Sequence, residues 1–442
     1  MIRLKINRAG AMAIALATLL VSATEGSETV PAPPQTHPIL LRGGEIHTVS
    51  GETFENGQLL IIEGKISQVG GAKLQIDLPP DTEIIDVTGK HVYPGLIAAN
   101  TTIGLVEISA VRATVDTAEA GTFNSNARVE VSVNPDSEVI PVTRANGVLT
   151  ASTVPQSGGI ISGRSALMRL DGWTWEDMIV KAPVGMHVYW PRLQAGYSQE
   201  PGAKENAAAE RRKAVEKTIR RLEEFVAASR AYAKSDKNPA DLRLAAMEPV
   251  INRELPIFVH ADGVGQIESA AAFAERENLE IVLVGGQDAW RVADLLKRLD
   301  IPVILSPQSL PRRRGEGYDT NFSSPAKLSE MGVRFCIAND GSAASERNLP
   351  YQAAAAVPFG LAKEDALKAI TLNAAQILGV DDRLGALDAG KDATLIITDG
   401  DPLEIPTHVE SAYIQGRKLD LSSRHTRLNE KYKGKYDGTE GN

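Results

Sequence analysis

Residues 92–107 read VYPGLIAANTTIGLVE, and this stretch decides how the rest of the chain is interpreted. It follows on from His91 as an apolar run that continues to Ile97, a pattern typical of a buried β-strand. The run then becomes polar at Asn100 and reaches Gly104, where such a strand would open into a loop. In a parallel α/β barrel, the C-terminal ends of the strands form the catalytic face. The stretch therefore predicts a strand that delivers polar side chains to a functional edge.

Length and composition leave room for a large core. The chain has 442 residues, of which 43% are hydrophobic and 23% are charged, so it can form two domains or one barrel with an appendage. The formal charge of −9 argues against nucleic acid and anionic membrane surfaces as partners. A small-molecule substrate or ligand and a homo-oligomer are both compatible with this composition.

The single cysteine, Cys336, excludes an intramolecular disulfide. It lies in a strand-like apolar run, 333–338. Because a free cysteine packs as a small hydrophobe, the sequence predicts a buried and inert thiol.

The N-terminus has the pattern of a targeting segment. A basic start at Arg3, Lys5 and Arg8 is followed by a short apolar run over 11–21 and by small residues that end at Ala23. The run is too short for a transmembrane helix. The pattern predicts a signal peptide and an exported protein, periplasmic or secreted, with an uncleaved anchor as the open alternative.

Strand-like segments dominate both ends of the chain, whereas its middle alternates between strands and helices. Turn signals such as Asn56-Gly57 separate the N-terminal strands, and a turn at 399–403 separates two C-terminal ones. In the middle, a strand at 256–259 precedes a helix at 266–277, and a strand at 280–284 precedes a helix at 288–299. This alternation indicates a parallel sheet with helices around it.

Two further segments of the middle have distinct patterns. Residues 203–233 predict one long helix with an apolar stripe and a solvated charged side. The glycine-rich segment 158–170 predicts a β-hairpin. No Lys-Ser or Lys-Thr follows its glycines, so the segment does not favour nucleotide binding.

The opening stretch resembles the first barrel strand of the amidohydrolase superfamily, where Pro-Gly and two hydrophobic residues precede Asp-x-His-x-His. Residues 94–97 match the first part of that pattern. Ala98 stands at the Asp position, and Asn100 and Thr102 stand at the two His positions. The resemblance therefore implies a metal-dependent hydrolase frame that has lost two metal ligands.

The C-terminal third carries a related resemblance. Residues 385–397 resemble the C-terminal amidohydrolase signature, with Thr394 where Asp is usual. Residues 360–367 and 371–379 resemble helices of the imidazolonepropionase-like group. This group implies hydrolysis of carbon–nitrogen bonds outside ordinary peptides, and the superfamily implies that both chain ends build one β-sandwich beside a barrel.

The resemblance assigns roles to two residues at predicted strand ends. His260 matches the metal ligand of the fifth barrel strand, and Asp340 matches the carboxylate of the eighth, which contacts metal and takes the proton of the attacking water. Imidazole and carboxylate ligands suit zinc, which makes its bound water acidic enough to act near neutral pH. The sequence thus predicts Asp340 as the catalytic residue, and His260 with Asp340 as metal ligands.

Several expected ligands are missing. No His occurs near 284–286, where the sixth-strand ligand belongs, and Lys181 and His187 are the candidates for the fourth strand. Because a catalytic zinc takes three protein ligands, we expect zinc to be substoichiometric or absent, with His187 as a further candidate ligand. A hydrogen-bonded His260–Asp340 pair without metal is the alternative. Surface or capping roles are expected for the remaining histidines: His37, His47, His91, His408 and His425.

These observations predict an α/β fold, a distorted (β/α)₈ TIM barrel with a small composite β-sandwich. The predicted boundaries are 1–23 for the signal peptide, 24–37 for a linker, 38–93 and 386–420 for the sandwich, 94–385 for the barrel, and 421–442 for a polar tail. Two functions stay open. One is an exported hydrolase of carbon–nitrogen bonds with a depleted metal site, and the other is a catalytically inactive binding or assembly protein.

Export has a direct test. If the N-terminal segment is cleaved, intact-mass spectrometry of the protein from its native host will give a mature N-terminus at or near Thr24. An intact Met1 on protein recovered from the cytoplasm would contradict this prediction.

Overall fold

A computed structural model describes residues 30–192, 203–306, 315–339 and 342–437. The predicted signal peptide and Asp340 lie outside the described residues, so export stays a prediction. Within the proposed linker, residues 30–37 form neither helix nor strand. No helix in the described ranges is long and apolar enough to cross a membrane.

The described residues form eighteen strands in three sheets. They are β1 Ile39–His47, β2 Thr53–Ile62, β3 Lys65–Gly70, β4 Glu83–Asp86, β5 His91–Pro94, β6 Leu96–Thr101, β7 Val148–Thr153, β8 Ile161–Arg164, β9 Ala166–Arg169, β10 Ile179–Lys181, β11 Met186–Tyr189, β12 Ile257–Ala261, β13 Ile281–Gly285, β14 Val303–Leu305, β15 Phe335–Ile337, β16 Leu395–Thr398, β17 Val409–Ile414 and β18 Arg417–Lys418.

The same ranges form twelve α-helices, joined by short 3₁₀ turns. They are α1 Val139–Arg144, α2 Trp175–Met178, α3 Ala203–Ala233, α4 Leu242–Ala245, α5 Glu248–Ile251, α6 Val264–Glu277, α7 Ala293–Arg298, α8 Thr320–Met331, α9 Leu349–Ala354, α10 Lys363–Ala369, α11 Leu372–Leu378 and α12 Arg424–Asp437. The long helix predicted over 203–233 is confirmed, whereas the helix predicted over 288–299 begins as a 3₁₀ turn at Ala289–Val292. The C-terminal part predicted as a polar tail contains α12.

Both chain ends meet in one eight-stranded sheet, which we call the composite sheet. Its order is β18-β17-β16-β5-β1-β2-β3, with β4 paired to β1. The ends are joined where β16 runs antiparallel to β5, with Ile396 opposite Tyr93. One apolar cluster contains side chains from both ends, such as Leu59 and Leu395. A composite unit therefore exists, and its arrangement as a sandwich stays a prediction because its strands belong to a single sheet.

Two smaller sheets carry the parallel strands. One has the order β10-β9-β7-β6 and the other β15-β14-β13-β12-β11-β8, in which β11 to β15 are parallel. A second apolar cluster contains residues from strands of both sheets, namely Ile97, Ala99, Leu167, Phe258, Val282, Val284, Ile304 and Cys336. The two sheets thus share one core, and the helices pack a larger cluster outside it. Cys336 is fully buried, as predicted.

In the described ranges, the two smaller sheets are not joined into a closed barrel by hydrogen bonds between strands. Within the described ranges, no strand pairing joins β6 to β15. Instead, the Ile97 N–H on β6 donates to the Ile370 carbonyl at 2.9 Å, and the Asn373 amide on α11 donates to the Phe335 carbonyl on β15 at 3.1 Å. The chain around α11 thus stands between these strands, and a complete barrel stays a prediction.

The hairpin predicted over 158–170 is wrong. Only Ser165 separates β8 from β9, which is too short for a hairpin turn, and the two strands join different sheets. β8 pairs with β11 and β9 pairs with β7. Gly163 has φ +131°, and a Cβ there would lie 3.0 Å from the Ala127 Cβ. The chain therefore passes from one small sheet to the other at a bend that favours glycine.

Gly95 is the single residue between β5, which ends at Pro94, and β6. A Cβ on Gly95 would lie 2.8 Å from Cδ1 of Leu149, a residue of the neighbouring β7. The absence of a side chain lets β6 approach β7 closely as the chain passes from the composite sheet into the four-stranded sheet. One continuous run thus belongs to both layers.

A buried ion pair ties the composite sheet to the rest of the fold. Asp171 and Arg144 expose 1% and 2% of their side chains, and the Arg144 Nη1 lies 2.9 Å from the Asp171 Oδ1. The other carboxylate oxygen accepts from the Ala32 N–H at 3.2 Å and forms an ion pair with Arg417 Nη1, also at 3.2 Å. Asp171 therefore joins α1, the N-terminal segment and β18.

Removing this carboxylate should strongly destabilise the protein. Asp171→Ala leaves the Arg144 guanidinium buried without its charge partner, a change that costs about 3–5 kcal/mol. Equilibrium urea denaturation, followed by tryptophan fluorescence, measures the loss. As the matched control, Glu210→Ala removes an exposed partner of Lys213 and should cost less than about 1 kcal/mol. Equal urea midpoints for Asp171→Ala and Glu210→Ala would contradict a stabilising role of the Asp171 ion pair.

Candidate functional site

A buried histidine and a half-buried histidine face each other on neighbouring parallel strands. His260 lies near the C-terminal end of β12, and His187 lies on β11, which pairs with β12 in parallel. His187 Nδ1 and His260 Nε2 are 2.9 Å apart. The structure thus brings together the predicted ligand His260 and the further candidate His187, in the interior where strand ends converge.

The bond between the rings limits what each nitrogen can do. One ring must donate and the other accept, so Nε2 of His260 is engaged whichever tautomer is present. Nε2 of His187 is buried and has no hydrogen-bond partner among the described residues. A buried polar atom without a partner costs roughly 1–3 kcal/mol, so this nitrogen is a point where a bound polar group would be stabilised.

An aromatic ring holds His260 in place. Tyr189 stacks on His260 with ring centroids 4.0 Å apart and an interplanar angle of 8°. The Tyr189 hydroxyl donates to the Pro155 carbonyl at 3.1 Å, which fixes the tyrosine in turn. Burial raises the pKa of the Tyr189 hydroxyl, so it stays protonated as a donor. The imidazole pair is therefore preorganised.

Burial keeps both imidazoles neutral. It lowers the pKa of His260 from 6.5 to about 3, because the protein removes much of the solvent that would stabilise the charged ring. The pKa of His187 lies well below its usual value, mainly through burial and then through the proximity of His260. Neutral imidazoles have lone pairs for ligands or metals, but they are weak bases near neutral pH.

The two first-strand positions lie at and beyond the end of β6. Asn100 is a β6 residue whose Oδ1 is buried without a hydrogen-bond partner in the described ranges. Thr102 follows β6 and is buried. An amide and a hydroxyl offer neither a ring nitrogen nor a negative charge, so they are poor zinc ligands.

The two remaining candidate site residues are Asp340 and Lys181. Asp340 lies outside the described residues, so its roles as catalytic residue and metal ligand stay predictions. Lys181 does not reach the site, because its Nζ donates to the carbonyls of Leu378 and Gly379 at 3.0 and 3.1 Å. It stabilises the C-terminus of α11, where a cation is favourable.

Zinc does not fit the described residues around His260. A catalytic zinc takes three protein ligands, and the described part of this site supplies two imidazoles. In the described ranges, one group of at least three His, Cys, Asp or Glu side chains could hold an ion, and it lies elsewhere, at Glu45, His47 and His91. Surface or capping roles were expected for these two histidines, whereas the structure places them together with a carboxylate. The spacing of Glu45 and His47 on one strand was a signal that could have found the group.

A cleft of about 430 Å³ lies at the opposite ends of the same strands. Its lining includes Pro256, Ile281 and Pro302, which precede or begin β12, β13 and β14. Because the cleft is remote from the C-terminal strand ends, we do not assign it to the histidine pair.

Comparison with known proteins gives a consistent family. A sequence model of the amidohydrolase family matches residues 310–421. The chain is 22% identical over 390 residues to amidohydrolase tasK of Hapsidospora irregularis, a match that spans 81% of this chain and 39% of that protein. It is 28% identical over 172 residues to imidazolonepropionase of Maricaulis maris, covering 37% and 41% of the two chains.

A solved structure agrees over most of the chain. The amidohydrolase from Thermotoga maritima MSB8 is 26% identical with a TM-score of 0.72, over 86% of this chain and 99% of that one. The matches support a place in the amidohydrolase superfamily. Molinate hydrolase, 15% identical with a TM-score of 0.53, shares the fold. In this chain the buried His187 meets the half-buried His260, which lies near the C-terminal end of β12.

The neutral pair predicts acid sensitivity in this amidohydrolase-type fold. Below pH 6.5 an unfolded histidine binds a proton, whereas native His260 binds one only near pH 3, so stability falls as the pH falls through this window. Each such histidine contributes about 1.4 kcal/mol per pH unit. We expect His187→Phe with His260→Phe to flatten the dependence of the urea midpoint between pH 7 and pH 5.

The control for that experiment is an exposed histidine. His408 exposes 80% of its side chain, so His408→Asn should leave the pH dependence unchanged. If the double variant and the control keep the same slope, the histidine pair is not held neutral by burial.

Proposed function

We propose that the protein is an exported amidohydrolase-superfamily hydrolase that acts on carbon–nitrogen bonds outside ordinary peptides and whose barrel has a depleted metal site. The observation that carries this proposal is the pair His187–His260, held 2.9 Å apart on parallel strands, with His260 near the C-terminal end of β12. Catalytic residues of α/β barrels are placed there. The similarity to imidazolonepropionase of Maricaulis maris supports the bond type.

The polar atoms around the pair support binding of a small polar substrate. His187 Nε2 and Asn100 Oδ1 are buried and have no hydrogen-bond partners within the described ranges. A substrate amide could donate to or accept from these atoms, which would offset the cost of burying them. In this proposal His187 and Asn100 orient the substrate, Tyr189 holds His260 in place, and Asp340 is the residue expected to take the proton of the attacking water.

A catalytically inactive binding protein is the second candidate. It is favoured by the engagement of His260 Nε2 with His187, which uses the nitrogen that would otherwise face a ligand. The replacement of both first-strand histidine positions by Asn100 and Thr102 favours it as well. Both candidates require a pocket that recognises a polar ligand, and they differ in whether turnover rises when the missing metal ligands are restored.

Restoring the missing metal-ligand side chains tests whether their loss limits hydrolysis. The triple change Ala98→Asp, Asn100→His and Thr102→His should raise zinc bound at the barrel, because the surrounding frame is retained. Turnover on a panel of cyclic and linear amides should be near background for the natural chain and should rise in the triple variant. Adding Asp340→Asn should abolish the gain, since an amide cannot take the proton of the attacking water.

The readouts separate the two candidates. High turnover by the natural chain that is lost in His260→Ala would refute the proposal of a depleted metal site. No turnover in the triple variant despite a full equivalent of barrel zinc would favour the binding protein.

A further inference from the structure

A second candidate site lies in the composite sheet, where three side chains project from one face. Glu45 and His47 are two residues apart on β1, so their side chains point to the same side. His91 begins β5, which pairs in parallel with β1, and His91 stands opposite Glu45 in the register. The pairing of two strands therefore assembles one carboxylate and two imidazoles.

The ligand atoms of these residues form a small triangle, in which one atom from each residue lies within 4.8 Å of the other two. His47 Nε2 and His91 Nδ1 are hydrogen-bonded at 3.2 Å, so a bound ion would replace this hydrogen bond. His47 Nε2 lies 3.3 Å from Glu45 Oε1, and His91 Nδ1 lies 3.4 Å from Glu45 Oε2. A tetrahedral zinc with bonds of about 2.0–2.2 Å has ligand atoms roughly 3.3–3.6 Å apart. The separations between these nitrogen and oxygen atoms are therefore close to those between the ligand atoms of one zinc ion.

Neighbouring groups orient the His47 ring. The Thr53 hydroxyl lies 3.4 Å from His47 Nδ1, and Tyr93 stacks on the ring at 4.1 Å with an interplanar angle of 10°. When Nδ1–H donates to that hydroxyl, the lone pair of Nε2 faces the triangle. An outer partner that fixes the tautomer of a ligating histidine is a regular feature of metal sites.

Accessibility suits an ion that enters from solvent. The side chains of His47, His91 and Glu45 are exposed by 18%, 29% and 39%. The group is therefore sheltered by Tyr93 on one side and still open to water, which can occupy a fourth position. Two imidazoles and one carboxylate are a set that zinc accepts with such an open position.

We propose that Glu45, His47 and His91 bind one zinc ion that joins β1 to β5 in the composite sheet, independently of the histidine pair on β11 and β12. The site lies at the start of the run that continues through Gly95 into β6. A bound ion would fix the strand that carries Asn100.

The test uses the tag-free, full mature chain stripped with a chelator and then dialysed against zinc alone. Metal analysis should give close to one equivalent for the natural chain and at least a tenfold weaker affinity for His91→Ala and His47→Ala. Glu45→Gln keeps the side-chain shape and should also weaken binding, whereas Thr53→Ala should weaken it about tenfold through the outer shell.

Two controls keep the result specific. His260→Ala should bind zinc as the natural chain does. His37→Ala removes a histidine from another His–Glu pair, 2.9 Å from Glu83 beside the same sheet, and should also leave binding unchanged. Circular dichroism of each variant identifies any that fail to fold.

A spectroscopic readout on the natural chain does not depend on any variant. Cobalt(II) bound in place of zinc should show the intense visible absorption of a tetrahedral ion, and zinc should displace it. The proposal is overturned if the stripped natural chain binds no zinc at micromolar concentrations. It is also overturned if binding is lost in His260→Ala but kept in His91→Ala, or if His91→Ala binds as well as the natural chain, which would leave a hydrogen-bonded cluster only.

Discussion

One continuous stretch, residues 91–101, forms a strand of the composite sheet and then a strand of the four-stranded sheet. This continuity positions residues of both candidate sites. The run enters as β5 in the composite sheet, crosses at Gly95 and continues as β6 in the four-stranded sheet. His91 at its start faces Glu45, and Asn100 near its end lies at the first-strand position of the amidohydrolase pattern. Any shift of the run along β1 or β7 would move both residues together.

The two sites differ in how their polar groups are compensated. His187 is fully buried and His260 is half-buried, they share one hydrogen bond, and desolvation lowers the pKa of both rings. Glu45, His47 and His91 are only partly covered, and a carboxylate stands among the imidazoles. A cation is therefore electrostatically favoured in the composite sheet, whereas the described residues around His187 and His260 add no carboxylate to that pair.

The sequence predicted local structure well and spatial pairing poorly. The apolar stripe located α3 to its observed bounds, and the continuous apolar runs located β12 and β13. β8 and β9 lie in different sheets because β8 pairs with β11 and β9 pairs with β7. Local turn signals contain no information about these pairings. Likewise, His47 and His91 are 44 residues apart in sequence and meet only through the parallel pairing of β1 with β5.

The central claim is that this chain keeps the amidohydrolase frame while its zinc-binding group lies in the composite sheet. A crystal structure of the zinc-loaded protein with anomalous data collected at the zinc edge tests it most directly. The account predicts a strong anomalous peak about 2.0–2.2 Å from His47 Nε2 and His91 Nδ1, and none of comparable height at His260. A full-occupancy peak at His260, with none between β1 and β5, would contradict it.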